Sequence, residues 1–281
     1  MTAIIDTHLH LVDRSRLTYP WLAEAPALDR DWSHAEYAAE AAAAGIARAL
    51  YMEVDVAGDM IGAEIDVIEA LPPRTDTPIA GIIAACRPEQ DGFAAEIERA
   101  QDRASVVGFR RVLHVMPDEL SQTALFRDNI RRLGPAGLPF DLCVQARQLP
   151  LATALVDAAP ETQFVLDHCG VPDIAGGAYD DWARDIAALA LRDNVVAKVS
   201  GLPAYAAEGW TAADLRPWVH HVAECFGLDR LVWGSDWFVC TLGGGLTKWA
   251  SASRALFDMV SEQEREMLFS GNAARIWNLP G

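Results

Sequence analysis

Eight short apolar runs recur along the chain, and a longer amphipathic stretch follows each of them. That alternation restricts the possible folds more than any other feature. The runs are Ala3 to His10, Ala47 to Val54, Pro78 to Cys86, Val106 to His114, Pro139 to Gln145, Thr162 to His168, Asn194 to Ser200 and Asp229 to Asp236. Most are rich in Val, Ile, Leu or Phe and lack strict polar alternation, as expected for parallel strands covered on both faces. The stretches between them read as helices. Ser33-His34-Ala35-Glu36 has the form of a capping box, and the Ala-rich segment after it stops at Gly45. Further helices are predicted near 59–71, 92–103, 121–133, 151–158, 179–191, 212–226, 248–260 and 261–277, the last broken near Gly271.

Eight strand–helix units in this order predict an α/β fold, a (β/α)8 TIM barrel of one domain over residues 1–281. At 281 residues such a chain needs neither disulfides nor a metal to build a core. Five cysteines, at 86, 143, 169, 225 and 240, form no CxxC pair, which points to a reducing compartment and a cytoplasmic protein. No secretory signal and no run long enough for a membrane span are visible. The net charge of −17 argues against a nucleic-acid partner, because phosphate binding needs a basic face. It leaves room for a small-molecule substrate, an anionic one included. Oligomeric state is not readable. One connection breaks the rhythm. Residues 11–34 separate the first strand from the first helix and carry Tyr19-Pro20-Trp21 and Trp32. A link this long in a compact fold is usually functional, and here it is expected to hang over the mouth of the barrel.

Barrel enzymes act at the C-terminal ends of their strands, so the residues there are the candidates. Side chains two apart in a strand share a face. His8 and His10 therefore point together, as do Arg110, Val112 and His114. The sixth run ends in Asp167-His168-Cys169-Gly170, the seventh holds Lys198 and Ser200, and the eighth ends in Gly234-Ser235-Asp236-Trp237. Titratable groups collect where the strands end, a distribution a packing core has no use for. Lys198 is costly to bury unless paired. Arg110 either faces the barrel or pairs with an acid outside it. His34, His220 and His221 sit on helices or caps and are expected to be solvated. Trp21 and Trp237 are either packing groups or walls of a substrate site.

Asp6-Thr7-His8-Leu9-His10, Leu166-Asp167-His168-Cys169-Gly170, Lys198-Val199-Ser200-Gly201, Gly234-Ser235-Asp236-Trp237 and Gly271-Asn272-Ala273 together resemble the amidohydrolase superfamily. They look most like its lactonase branch, which holds L-fuconolactonases, L-rhamnonolactonases and 2-pyrone-4,6-dicarboxylate lactonase. Tyr19-Pro20-Trp21-Leu22 and Val239-Cys240-Thr241-Leu242 add to the sugar-lactonase likeness. The resemblance implies the barrel, hydrolysis of a sugar-derived lactone, and a site of His8, His10, His168 and Asp236. In that reading Asp236 is the general base. His8 and His10 hold the water, His168 stabilises or protonates the oxyanion, and Lys198 adds positive charge. Arg110 and His114 contact substrate, with Trp21 and Trp237 stacking on the ring. His8, His10 and Asp236 could hold a zinc with an open position. The fifth strand lacks the His that metal-dependent members add there, so a metal is read as optional. A metal-dependent decarboxylase or other lyase and a non-catalytic barrel are the alternatives. No G-x-S-x-G elbow occurs, which argues against an acyl-enzyme.

Overall fold

The computed structural model describes residues 3–280, so residues 1, 2 and 281 of the expected domain lie outside it. Eight parallel strands run in the order β1 to β8: Ile4–Leu9, Ile46–Met52, Ile79–Ala85, Val106–Val112, Phe140–Cys143, Phe164–Leu166, Val195–Val199 and Leu231–Trp233. All eight apolar runs are strands, each a residue or more shorter than the run. The trimmed C-terminal ends are where backbone leaves the ladder and side chains turn inward.

The ring closes between β8 and β1 by fewer ladder bonds than elsewhere. Past the strand ends, Leu9 bridges Trp237, His10 N donates to Trp237 O at 2.8 Å and Asp236 N donates to His8 O at 2.9 Å. Side chains complete the seam. Thr7 Oγ1 donates to Trp233 O. Asp6, fully buried, accepts from the backbone of His8 and Ser235 and from the Tyr37 hydroxyl. The Asp-Thr-His-x-His segment thus spends its first two polar residues on closing the barrel and its two histidines on the site.

Helices wrap the outside. The helix His34–Ala44 begins at the expected capping box, with Ser33 and Glu36 bonded reciprocally, and ends at Gly45 in the left-handed conformation. The helix Ala212–Phe226 matches its expected bounds, and the terminal stretch divides around a π-turn at Met267–Gly271. Asn272 then donates to the carbonyls of Leu228 and Leu231, pinning the last helix under β8. Inside the barrel, Ile5, Leu50, Ile83, Val165, Val196 and Val232 form a buried cluster with Trp277 and Leu279 from the chain's end.

Three histidines depart from expectation. His34 is buried and bonded to Thr77 O at 2.9 Å. His220 and His221 are half-buried and reach Leu256 O and Ala183 O. Each links its helix to a neighbouring segment, because an imidazole can bury its ring while one nitrogen meets a free carbonyl. The five cysteines are all unpaired. No helix among the described residues is long and apolar enough to cross a membrane.

Candidate active site

A cavity of about 340 Å3 opens at the C-terminal ends of the strands. His10, Arg110, His114, His168 and Asp236 line it, and Trp21, Glu24 and Ala25 form a wall from the long first connection. That connection is braced from below. Trp21 Nε1 donates to Val54 O at 2.8 Å, and its ring stacks on Phe238. Trp32 also stacks on Phe238, with ring centroids 4.9 Å apart, and is itself buried.

The reacting corner is built on β1 and β8. Nε2 of His8 and Nε2 of His10 lie 3.1 Å apart, with Asp236 Oδ1 3.7 Å and 3.5 Å away. The far nitrogens of both rings are committed. His10 Nδ1 donates to Met52 O at 3.0 Å, since a carbonyl can only accept. His8 Nδ1 lies 3.4 Å from Asp167 Oδ1 and 3.3 Å from the Lys198 ammonium, while Arg110 Nη1 approaches His8 Nε2 at 3.3 Å. His10 Nε2 therefore turns a lone pair toward His8 Nε2. The two nitrogens and the carboxylate oxygen have the chemistry and the close spacing of a three-ligand divalent site, so these residues fit one metal ion. Burial holds His8 well below the usual imidazole range despite the neighbouring Asp167.

His168 enters from β6 through unusual backbone. His168 and Cys169 both have φ of +53°, and Gly170 and Val171 continue in the left-handed region. Runs of that kind are strained and persist only where the surroundings hold them. Here Trp182 Nε1 donates to Cys169 O, and Gly201 lies so close that a Cβ there would come 2.5 Å from His168 Nδ1. Gly234 is needed in the same way, since a Cβ would meet that of His8 at 2.7 Å. His168 Nδ1 lies 2.9 Å from the fully buried Ser200 hydroxyl. That hydroxyl has no other acceptor among the described residues, so it donates to Nδ1 and leaves Nε2–H as a donor. Burial lowers the His168 pKa, which keeps the ring neutral, and burial likewise lowers His114, to about 4.

Arg110 faces the barrel, and it is Arg111 that pairs outside it, with Glu89. Arg110 is not free. Its Nε donates to Glu53 Oε1 at 2.6 Å and its Nη2 to Glu53 O at 2.7 Å, leaving Nη1 alone toward the site. Two expected site residues lie elsewhere. Lys198 does not line the cavity: it is fully buried below His8, with Nζ 2.5 Å from Asp141, 2.9 Å from Asp167 and 3.3 Å from His8 Nδ1. Two carboxylates in the barrel interior hold it out of contact with solvent. Trp237 is also fully buried, packed on Trp32 and Tyr37 with its Nε1 on Glu40, so it is a packing group. Burial pushes Asp141 up to about 7 against the pull of Lys198; Asp167, which burial alone would raise, is held far down by Lys198 and His8.

Sequence reasoning missed Glu53, Asp55 and Tyr205. Glu53 and Asp55 carried a signal, since both are acids at the end of the second apolar run. Tyr205 carried none. It sits in the four-residue helix Leu202–Tyr205, too short for periodicity to mark.

A family model described as amidohydrolase matches residues 5–279. The L-fucono-1,5-lactonase of Burkholderia multivorans is 35% identical over 193 residues, 62% of this chain and 63% of that one. The 4-sulfomuconolactone hydrolase of Rhizobium radiobacter is 28% identical over 235 residues, 83% of this chain and 74% of that one. Among solved structures, an amidohydrolase of Burkholderia multivorans with bound zinc is similar at a TM-score of 0.87 and 26% identity, covering 99% of this chain and 100% of that one.

Proposed function

The chain belongs to the amidohydrolase family and is a hydrolase acting on cyclic esters; from that premise we propose that it opens a neutral, sugar-derived aldonolactone to the free acid. The observation that carries this choice is the charge of the cavity wall. Glu24, Asp55 and Asp236 line it, and Arg110, the only Arg or Lys among the described residues that line it, has two of its three nitrogens bonded to Glu53. Such a wall repels a substrate with a carboxylate or sulfonate side group and suits one that offers hydroxyls. With two of its nitrogens held by Glu53, Arg110 is not free to grip a carboxylate in bidentate fashion.

In the proposed mechanism Asp236 Oδ1 takes a proton from a water held against His8 and His10. The water oxygen attacks the lactone carbonyl, and the His168 Nε2–H donates to the oxygen that becomes negative. Collapse breaks the ring C–O bond, and the proton held on Asp236 passes to the leaving alkoxide. Arg110 Nη1 keeps His8 Nε2 oriented. Trp21 offers an apolar face to the sugar ring, and His114 lines the same cavity. A divalent ion such as zinc held by His8, His10 and Asp236 would supply Lewis-acid polarisation there. We propose that turnover does not require one, because the cationic Arg110 already stands 3.3 Å from His8 Nε2. A small-molecule lactone is the one partner this reading needs, and one barrel unit over 1–281 carries it.

The test is a panel of neutral aldonolactones and of lactones carrying a carboxylate or sulfonate, followed by acid release before and after dialysis against a chelator. Turnover of the neutral members, kept after metal removal, is expected. Preference for the anionic members would overturn the substrate class. Activity that falls in proportion to zinc content and returns with zinc would overturn metal independence.

A further inference from the structure

We propose that Tyr205 is a second hydrogen-bond donor to the carbonyl oxygen as it becomes negative, completing an oxyanion site with His168; this rests on the lactone-hydrolase reading. Four observations converge on the phenol. Tyr205 lines the same cavity as Asp236, His168 and Arg110. Its ring is half-buried, and its hydroxyl makes no hydrogen bond among the described residues, which leaves the O–H free for a group in the cavity. Its ring lies 6.5 Å from that of His168, the other donor. Burial, with Asp236 as the main charged neighbour, pushes the phenol well above its ordinary range, so it stays protonated and can only donate toward an anion.

The backbone makes the placement rigid. Gly201, at φ +68°, turns the chain against the His168 ring, where any Cβ would collide. Pro203 fixes the first turn of the helix Leu202–Tyr205. Ala175 N donates to Tyr205 O at 3.1 Å and ties the helix end to the loop after β6. His168 and Tyr205 are thus carried by one locked unit, and donors that need not reorganise are the ones that stabilise a transition state most. Asp236 handles the proton while His168 and Tyr205 meet the charge. The division follows from what each can do: the carboxylate accepts, and the neutral imidazole N–H and the phenol O–H donate.

Tyr205→Phe keeps the ring and removes only the hydroxyl. The expected result is a fall in kcat of about 10²–10³-fold, the range for loss of one such donor, with KM and melting temperature close to wild type. A kcat within threefold of wild type would overturn the assignment. So would a loss that grows with the basicity of the departing ring oxygen across a lactone series, because that would make Tyr205 the acid for the leaving group. Titration with a cyclic phosphonate, a stable tetrahedral anion of the same ring, separates this proposal from the one beneath it. Wild type that binds the phosphonate while hydrolysing no lactone would break the lactone reading and keep Tyr205, provided Tyr205→Phe weakens binding. Equal binding by the two proteins, or none by wild type, would overturn the donor pair.

Discussion

Two layers of the barrel interior use the same residue types and do opposite things. Below His8, Lys198 is locked between Asp141 and Asp167, and all three are fully buried. Above it, Asp236, His10, His168 and Tyr205 border an open cavity. In the lower layer every charge faces an opposite charge at close range. In the upper one His10 Nε2, His168 Nε2–H and the Tyr205 hydroxyl are left for something else to meet. Chemistry needs groups with unused bonding capacity, so a titratable residue at a strand end is informative only once its partners are known.

The largest expected effect breaks the upper layer alone. Asp236→Asn keeps the shape and removes the base, so kcat should fall by about 10²–10⁴-fold with the fold intact, as steady-state kinetics and circular dichroism would show. Near-normal turnover would remove Asp236 from that role.

Lys198→Met breaks the lower layer. Removing one partner of a buried ion pair leaves uncompensated charge and destabilises by about 3–5 kcal/mol. The loss should appear in urea unfolding, and adding Asp141→Asn should restore part of it. A Lys198→Met protein as stable as wild type would dissolve the distinction between the layers.

A pH experiment sharpens the comparison from beside the cavity. Glu64 is buried, accepts from Tyr51 and Val54 N on one oxygen, and leaves the other without a partner. Burial pushes its carboxyl up to about 8, with Glu53 adding repulsion. The folded protein therefore keeps a proton there that the unfolded chain releases near the ordinary carboxylate value of 4.5. Its contribution to stability is full below that value and is lost as pH rises toward about 8. Glu64→Gln should be more stable than wild type at pH 8 by a margin that vanishes near pH 4.5. A margin independent of pH would show that Glu64 is ionised throughout.

The smallest effect separates two tryptophans. Trp21→Ala should raise KM roughly 2- to 12-fold with kcat little changed, since aromatic contacts are worth about 0.5–1.5 kcal/mol beyond burial. Trp237→Ala should instead cost about 3–5 kcal/mol of stability and leave KM alone. If Trp21→Ala lowers the melting temperature and keeps its KM, both are packing groups and the wall is made by other residues.

The sequence by itself determined the eight strands and their order, the capped helix after Ser33, and the cluster of His8, His10, His168 and Asp236 at the strand ends. Those features are local: hydrophobic runs, a capping pattern and side-chain alternation act over a few residues. Only the tertiary structure decided how the remaining polar groups are spent. Glu53 and Arg110 are 57 positions apart, as are Asp141 and Lys198, and nothing near either member shows that it will meet the other. Trp237 follows Asp236 directly, yet it is buried against Tyr37 and Trp32, while Trp21 lines the cavity. Tyr205 reaches the site through a left-handed glycine and a four-residue helix that leave no periodic trace. Whether a charge is sealed or available depends on through-space distances of about 3 Å between distant residues, and a barrel fixes those distances only when its ring closes.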